Sequence, residues 1–65
     1  MIRKDQLKVG MIVEVQSKYD AEPLQVEITV LTDGLNFLHK TLSTPIIRSA
    51  HSYKDILRII KDVSD

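Results

Sequence analysis

Residues Leu24–Leu42, LQVEITVLTDGLNFLHKTL, are the stretch whose reading decides the fold. Leu24, Val26, Ile28 and Val30 alternate with Gln25, Glu27 and Thr29, and β-branched residues dominate. That period of two marks a half-buried strand. Asp33-Gly34 follows at once. Both central positions of a type I′ turn need positive φ, which glycine adopts freely and aspartate tolerates, so a hairpin is expected here. Counting back from a two-residue turn pairs Val30 with Phe37, Ile28 with His39 and Val26 with Thr41. On the other face Leu31 meets Asn36, Thr29 meets Leu38, and Glu27 meets Lys40. Glu27 and Lys40 are opposite charges directly across the sheet, a pairing that favours this register over a slip by one residue. Leu31, Leu35, Leu38 and Leu42 also match one stripe of a helix capped by Thr32 or Asp33, so the returning arm has a helical alternative. The strand reading is preferred.

Upstream, Met11, Val13 and Val15 alternate with Glu14 and Gln16, which predicts a first strand with Gly10 supplying the bend before it. Ser17–Pro23 then reads as a solvated loop. Pro23 cannot donate to a ladder and belongs at or before the start of the second strand. Downstream, Ser43-Thr44-Pro45 breaks the pattern and Ile46-Ile47-Arg48 resumes as a short edge piece. Ser52 is placed as a helix N-cap, with Asp55 three residues on. Tyr53, Ile56, Leu57, Ile60 and Val63 follow at helical spacing, widened by Ile59, and predict a C-terminal helix.

Sixty-five residues make one domain, 1–65, and a chain this short buries only about 60% of the surface its unfolded form exposes. Small domains gain support from disulfides, metals or a partner subunit. The chain has no cysteine, which removes disulfides, thiolate zinc sites and cysteine nucleophiles together. No apolar run approaches a membrane span, and the polar Arg3-Lys4-Asp5 start lacks the apolar core of a signal peptide. A cytoplasmic, non-membrane protein is the expectation. The net charge is zero, so no global field draws nucleic acid. Acidic Glu14, Asp20, Glu22, Glu27 and Asp33 precede basic Lys40, Arg48, Lys54, Arg58 and Lys61. The two sets can pair within one fold or between copies.

The wording Leu7-Lys8-Val9-Gly10-Met11-Ile12-Val13-Glu14-Val15 resembles the lead into the first strand of SH3-like small barrels of the KOW and Tudor kind, and that of some OB-fold strands. The resemblance implies a compact barrel that binds a peptide or a nucleic acid. Tyr19, Asp20 and Glu22 look similar to the acidic, aromatic loop of SH3 domains. Without any tryptophan, the usual aromatic groove for polyproline cannot be built, and no ligand-binding residues are carried over.

The expected fold is therefore α+β: a small antiparallel sheet, or a partly open SH3-like barrel, of about four to five strands with a C-terminal helix. No cofactor, metal site or catalytic residue is predicted. His39 and His51 are far apart in sequence, and Ser49, His51, Ser52 and Asp55 cluster without an oxyanion hole. Two binding surfaces are predicted instead. Leu31, Leu38 and Leu42 form an apolar patch on the hairpin's outer face, marking the contact surface of a homo-oligomer, most simply a two-fold dimer. Lys54, Arg58 and Lys61, at i, i+4 and i+7, form a basic stripe on the outer helix face, the candidate nucleic-acid contact. The function expected is a small non-catalytic interaction or regulatory module, of bacterial or phage type by its size, with a nucleic-acid-binding barrel as the alternative.

Overall fold

Where apolar residues alternate with polar ones, this chain forms strands, and five of them make one antiparallel sheet. The computed structural model describes residues 2–17 and 21–63. β1 spans Ile12–Val15, β2 Leu24–Leu31, β3 Asn36–Thr41, β4 Arg48–Ser52 and β5 Ile56–Lys61. Their order across the sheet is β4-β3-β2-β1-β5, with every ladder antiparallel. Short 3-10 turns at Lys4–Gln6 and Tyr53–Asp55 are the only helical segments among the described residues. The protein is all-β, which corrects the α+β expectation. Of the first loop, Lys18, Tyr19 and Asp20 lie outside the described residues.

The first strand matches its prediction. Met11, Val13 and Val15 are buried, and they meet Val26, Ile28, Phe37, Leu7 and Ile56 in a single core. Gly10 makes the expected bend at φ 98°, donating its N–H to the Ile28 carbonyl at 2.9 Å. A β-carbon there would adopt a strained backbone and meet Val63 at 3.2 Å.

The hairpin is right at its far end and shifted near its turn. Val26 pairs with Thr41, Glu27 with Lys40 and Ile28 with His39, as counted. Beyond Ile28 the register slips: Val30 pairs with Leu38 and Leu31 with Phe37, so Thr29 is the extra residue of a β-bulge. Past a bulge every side chain changes face. Val30, expected inside, is exposed, and Leu31, expected outside, packs against the core. The connection is Thr32–Leu35, and neither Asp33 nor Gly34 has positive φ, so no type I′ turn forms. Instead the loop is held by the Tyr53 hydroxyl, which accepts the Thr32 N–H at 2.9 Å and donates to the Thr32 carbonyl at 2.8 Å. The Thr32 hydroxyl in turn donates to the Asn36 carbonyl.

The predicted C-terminal helix is a strand. Ser52 does act as a cap, its hydroxyl accepting from Lys54 N–H at 3.4 Å, but it caps only the 3-10 turn Tyr53–Asp55. Ile56–Lys61 then lies along β1 with two irregularities. Val15 faces Ile56, Glu14 faces Arg58, Val13 faces Ile59 and Ile12 faces Lys61, leaving Leu57 and Ile60 as extra residues. Bulging puts Ile56 and Ile59 inward and Arg58 and Lys61 outward, each pair three residues apart. Spacing of three imitates a helical stripe, which is why the sequence reads as one. Three β-branched isoleucines and the second edge of β1 favour the strand.

A sheet that curls needs no helix to cover its inner face. The residues that face inward from β1, β2, β3 and β5 meet one another in the core, and among the described residues no α-helix packs on them. The outward face stays open.

Candidate functional site

Two regions bear on function: a cleft beside β4 that holds both histidines, and the outer face of β2, β3 and β4.

The cleft encloses about 570 Å³ and is lined by Asn36, His39 and Thr41 of β3 and by Ser49, His51 and Ser52 of β4, with Leu24 and Asp55 nearby. β3 presents Phe37, His39 and Thr41 to the interior by strand alternation, and Ser49 and His51 of β4 fall on the same side. Thr41 marks the closed end: its hydroxyl accepts the Ile47 N–H and donates to the Pro45 carbonyl, both at 3.0 Å, shaping the turn that contains the cis Thr44–Pro45 bond.

His39 and His51 are diagonal neighbours across the β3–β4 ladder, and His39 Nε2 lies 2.6 Å from His51 Nδ1. Ring centroids 4.8 Å apart come close to the greatest separation that this distance and the two ring radii allow, so the nitrogens lie near the line between the rings. This is an in-line hydrogen bond. His39 is fully buried and its Nδ1 has no partner. The bond is satisfied best with His39 Nε2–H donating to His51, since the reverse tautomer would bury an Nδ1–H donor with nothing to accept it. Burial lowers the His39 imidazole from 6.5 to about 4, and the adjacent His51 acts in the same direction. His39 therefore stays neutral through the physiological range.

This arrangement has limited chemical capacity. The serine, histidine and aspartate residues that cluster in sequence do converge on the cleft. However, neither Ser49 nor Ser52 is hydrogen-bonded to a histidine, so the nucleophile–base contact of a triad is not formed by these residues. Two nitrogens bound at about 2.0–2.1 Å to one tetrahedral ion stand farther apart than these do. Among the described residues no group of three or more His, Asp or Glu is placed to hold a metal. The histidine pair escaped the sequence reading because only the β3–β4 register brings positions 39 and 51 together.

The predicted contact leucines separate. Leu38 and Leu42 are on the outer side and exposed, whereas Leu31 is turned inward by the bulge at Thr29. Val30 takes its place. Ladder partners put Val30, Leu38 and Ala50 in one row across β2, β3 and β4, with Val30 44% and Leu38 41% exposed. Behind this row Lys40 lies 3.8 Å from Glu27, and Arg48 of β4 stands on the other side of Lys40 in the ladder.

The predicted basic stripe loses its helix. Lys54 lies on the 3-10 turn, while the bulge at Ile60 keeps Arg58 and Lys61 together on the outer face of β5. Arg58 is gripped by Glu14 through two contacts, at 3.2 and 3.4 Å. Acidic and basic halves of the chain thus pair within one fold at Glu14–Arg58 and Glu27–Lys40.

No protein-family model, curated protein or solved structure matches the chain. Among the described residues no helix is long and apolar enough to cross a membrane.

Proposed function

We propose that the protein is a small, non-catalytic interaction module of SH3-like type that self-associates through the outer face of its sheet. The observation that carries this reading is the exposed row Val30–Leu38–Ala50, with exposed Leu42 just beyond the end of β3. Contiguous apolar surface of this kind marks an interaction site on a soluble domain. The SH3-like part is supported by the order of five short antiparallel strands, with β1 paired on both sides, together with the lead into the first strand. The nucleic-acid alternative retains Arg58 and Lys61 on one face, but Glu14 compensates Arg58, leaving few free cations for phosphate.

Light scattering on the intact chain at high micromolar concentration tests the reading. The expected mass is twice that of one chain, and Leu38→Lys reduces it to one chain while the fold persists, because Leu38 faces outward. A parent protein that runs as a monomer ends the proposal. Salt-sensitive binding to RNA or DNA that disappears when Lys54, Arg58 and Lys61 are changed to glutamine favours the alternative.

A further inference from the structure

A sheet with two ends has two places where another strand can add, and in this molecule they differ. Among the described residues, β4 and β5 each carry a ladder on one side only. β5 is irregular at two points in six residues, and it displays Arg58 and Lys61, devices that protect an edge from pairing. β4 has neither. Its register with β3 runs unbroken from Arg48 to Ser52, and Arg48 is its one charge.

The direction of the unpaired groups on β4 follows from the bonds at its two ends. Thr41 N–H donates to the Ile47 carbonyl and Tyr53 N–H to the Leu35 carbonyl. In an antiparallel ladder, hydrogen-bonded and non-hydrogen-bonded pairs alternate. Counting between those two bonds, Ser49 and His51 turn their backbone N–H and C=O toward β3. Arg48, Ala50 and Ser52 turn theirs away from the sheet.

We infer that this edge docks with the same edge of a second copy of the chain, antiparallel, about a two-fold axis at Ala50. The inference rests on the self-association reading and places the two-fold contact at the β4 edge, which borders the exposed outer-face row. Three features of the edge favour a second copy as the occupant. With the axis at Ala50, Ala50 pairs with Ala50 of the partner subunit and Arg48 with Ser52 of the partner subunit, so each outward donor meets an outward acceptor. The same register sets each arginine opposite a serine, where a shift of the axis toward Arg48 would bring the like charges together. The apolar row Val30–Leu38–Ala50 then runs across the axis into its symmetry mate, forming one strip on a sheet of ten strands, with the small Ala50 at the crossing. On the inner face Ser49 stands opposite His51 of the partner subunit, hydroxyl against imidazole. Zero net charge on the chain adds no global repulsion between copies.

Ala50→Pro tests the edge directly. Proline removes an N–H that points away from β3, and edge strands tolerate it there. The expected result is a folded chain with dimer affinity weakened at least tenfold. Ala50→Cys provides a second measurement that does not depend on the proline variant folding. The chain has no native cysteine, and residues facing each other in a hydrogen-bonded pair stand about 5.5 Å apart at Cα, within reach of a disulfide. Mild oxidation is expected to cross-link Ala50→Cys into a covalent dimer and to leave Leu35→Cys, in the β2–β3 loop, as monomer. If the parent is a dimer that Leu38→Lys dissociates, yet Ala50→Pro still dimerises and Ala50→Cys does not cross-link, the edge is wrong and the module reading stands. If the parent is a monomer, both fall.

Discussion

The two edge strands of the sheet are held in place by different forces. β5 is anchored by side chains: Ile56 is buried in the core and Ile59 packs against it. β4 contributes Ser49 and His51 to the interior and no large apolar group. Its attachment is a regular backbone ladder, the His51–His39 bond and the pin that Tyr53 makes beyond its end. The difference shows how one sheet can guard one edge and offer the other. A strand anchored through its side chains tolerates bulges, because each bulge costs a ladder bond and little core contact. A strand held by its ladder must stay regular, and regularity is what another strand requires for pairing.

Removing the anchor of β5 gives the largest expected effect. Ile56→Ala is expected to cost about 2–5 kcal/mol of stability by urea denaturation, the range for truncating a buried isoleucine. In the same assay Ala50→Pro should leave the monomer's stability nearly unchanged. Equal losses in the two variants would erase the distinction between the edges.

Acidification probes β4 and its support. The folded chain holds His39 near 4, below its ordinary 6.5, so between those values the unfolded chain binds more protons. Stability is therefore complete above about pH 6.5 and declines as pH falls toward 4, by on the order of 2–3 kcal/mol. Thermal melts across that window should show the decline in the parent, and a shallower one in His39→Gln. A parent melting temperature that does not move between pH 7 and 4 would contradict the assigned burial of this imidazole.

The smallest effect belongs to the outer face of β5. Arg58 is largely exposed although its partner Glu14 is not. Arg58→Gln is expected to cost between about 0.2 and 1 kcal/mol, with the difference shrinking at high salt. A loss as large as that of Ile56→Ala would mean that β5 is held by charge and not by its apolar side.

Much of this architecture is legible in the residues themselves, and the failures share one origin. β1 follows from the alternation of Met11, Val13 and Val15 with Glu14, and the far half of the hairpin follows from Val26, Ile28 and the Glu27–Lys40 pair. Gly10 and Ser52 take the bend and the cap that local chemistry assigns them. The errors begin at Thr29, at Leu57 and at Ile60, the residues that the ladders leave unpaired. After Thr29, Leu31 leaves the predicted contact patch and Val30 enters it. Around Leu57 and Ile60, inward residues fall three apart and a strand acquires the period of a helix.

Composition and short-range period by themselves determined that this chain carries no disulfide, which residues of β1 and early β2 face the core, and that the outer surface of the hairpin carries more apolar residues than a solvated face needs. The tertiary structure alone decided which apolar residues those are, that the last segment is a strand, and that His39 meets His51. The physical reason is that a bulge satisfies the curvature of the whole sheet. Where the extra residue falls depends on strands distant in sequence, and a single inserted position reverses the facing of every side chain beyond it.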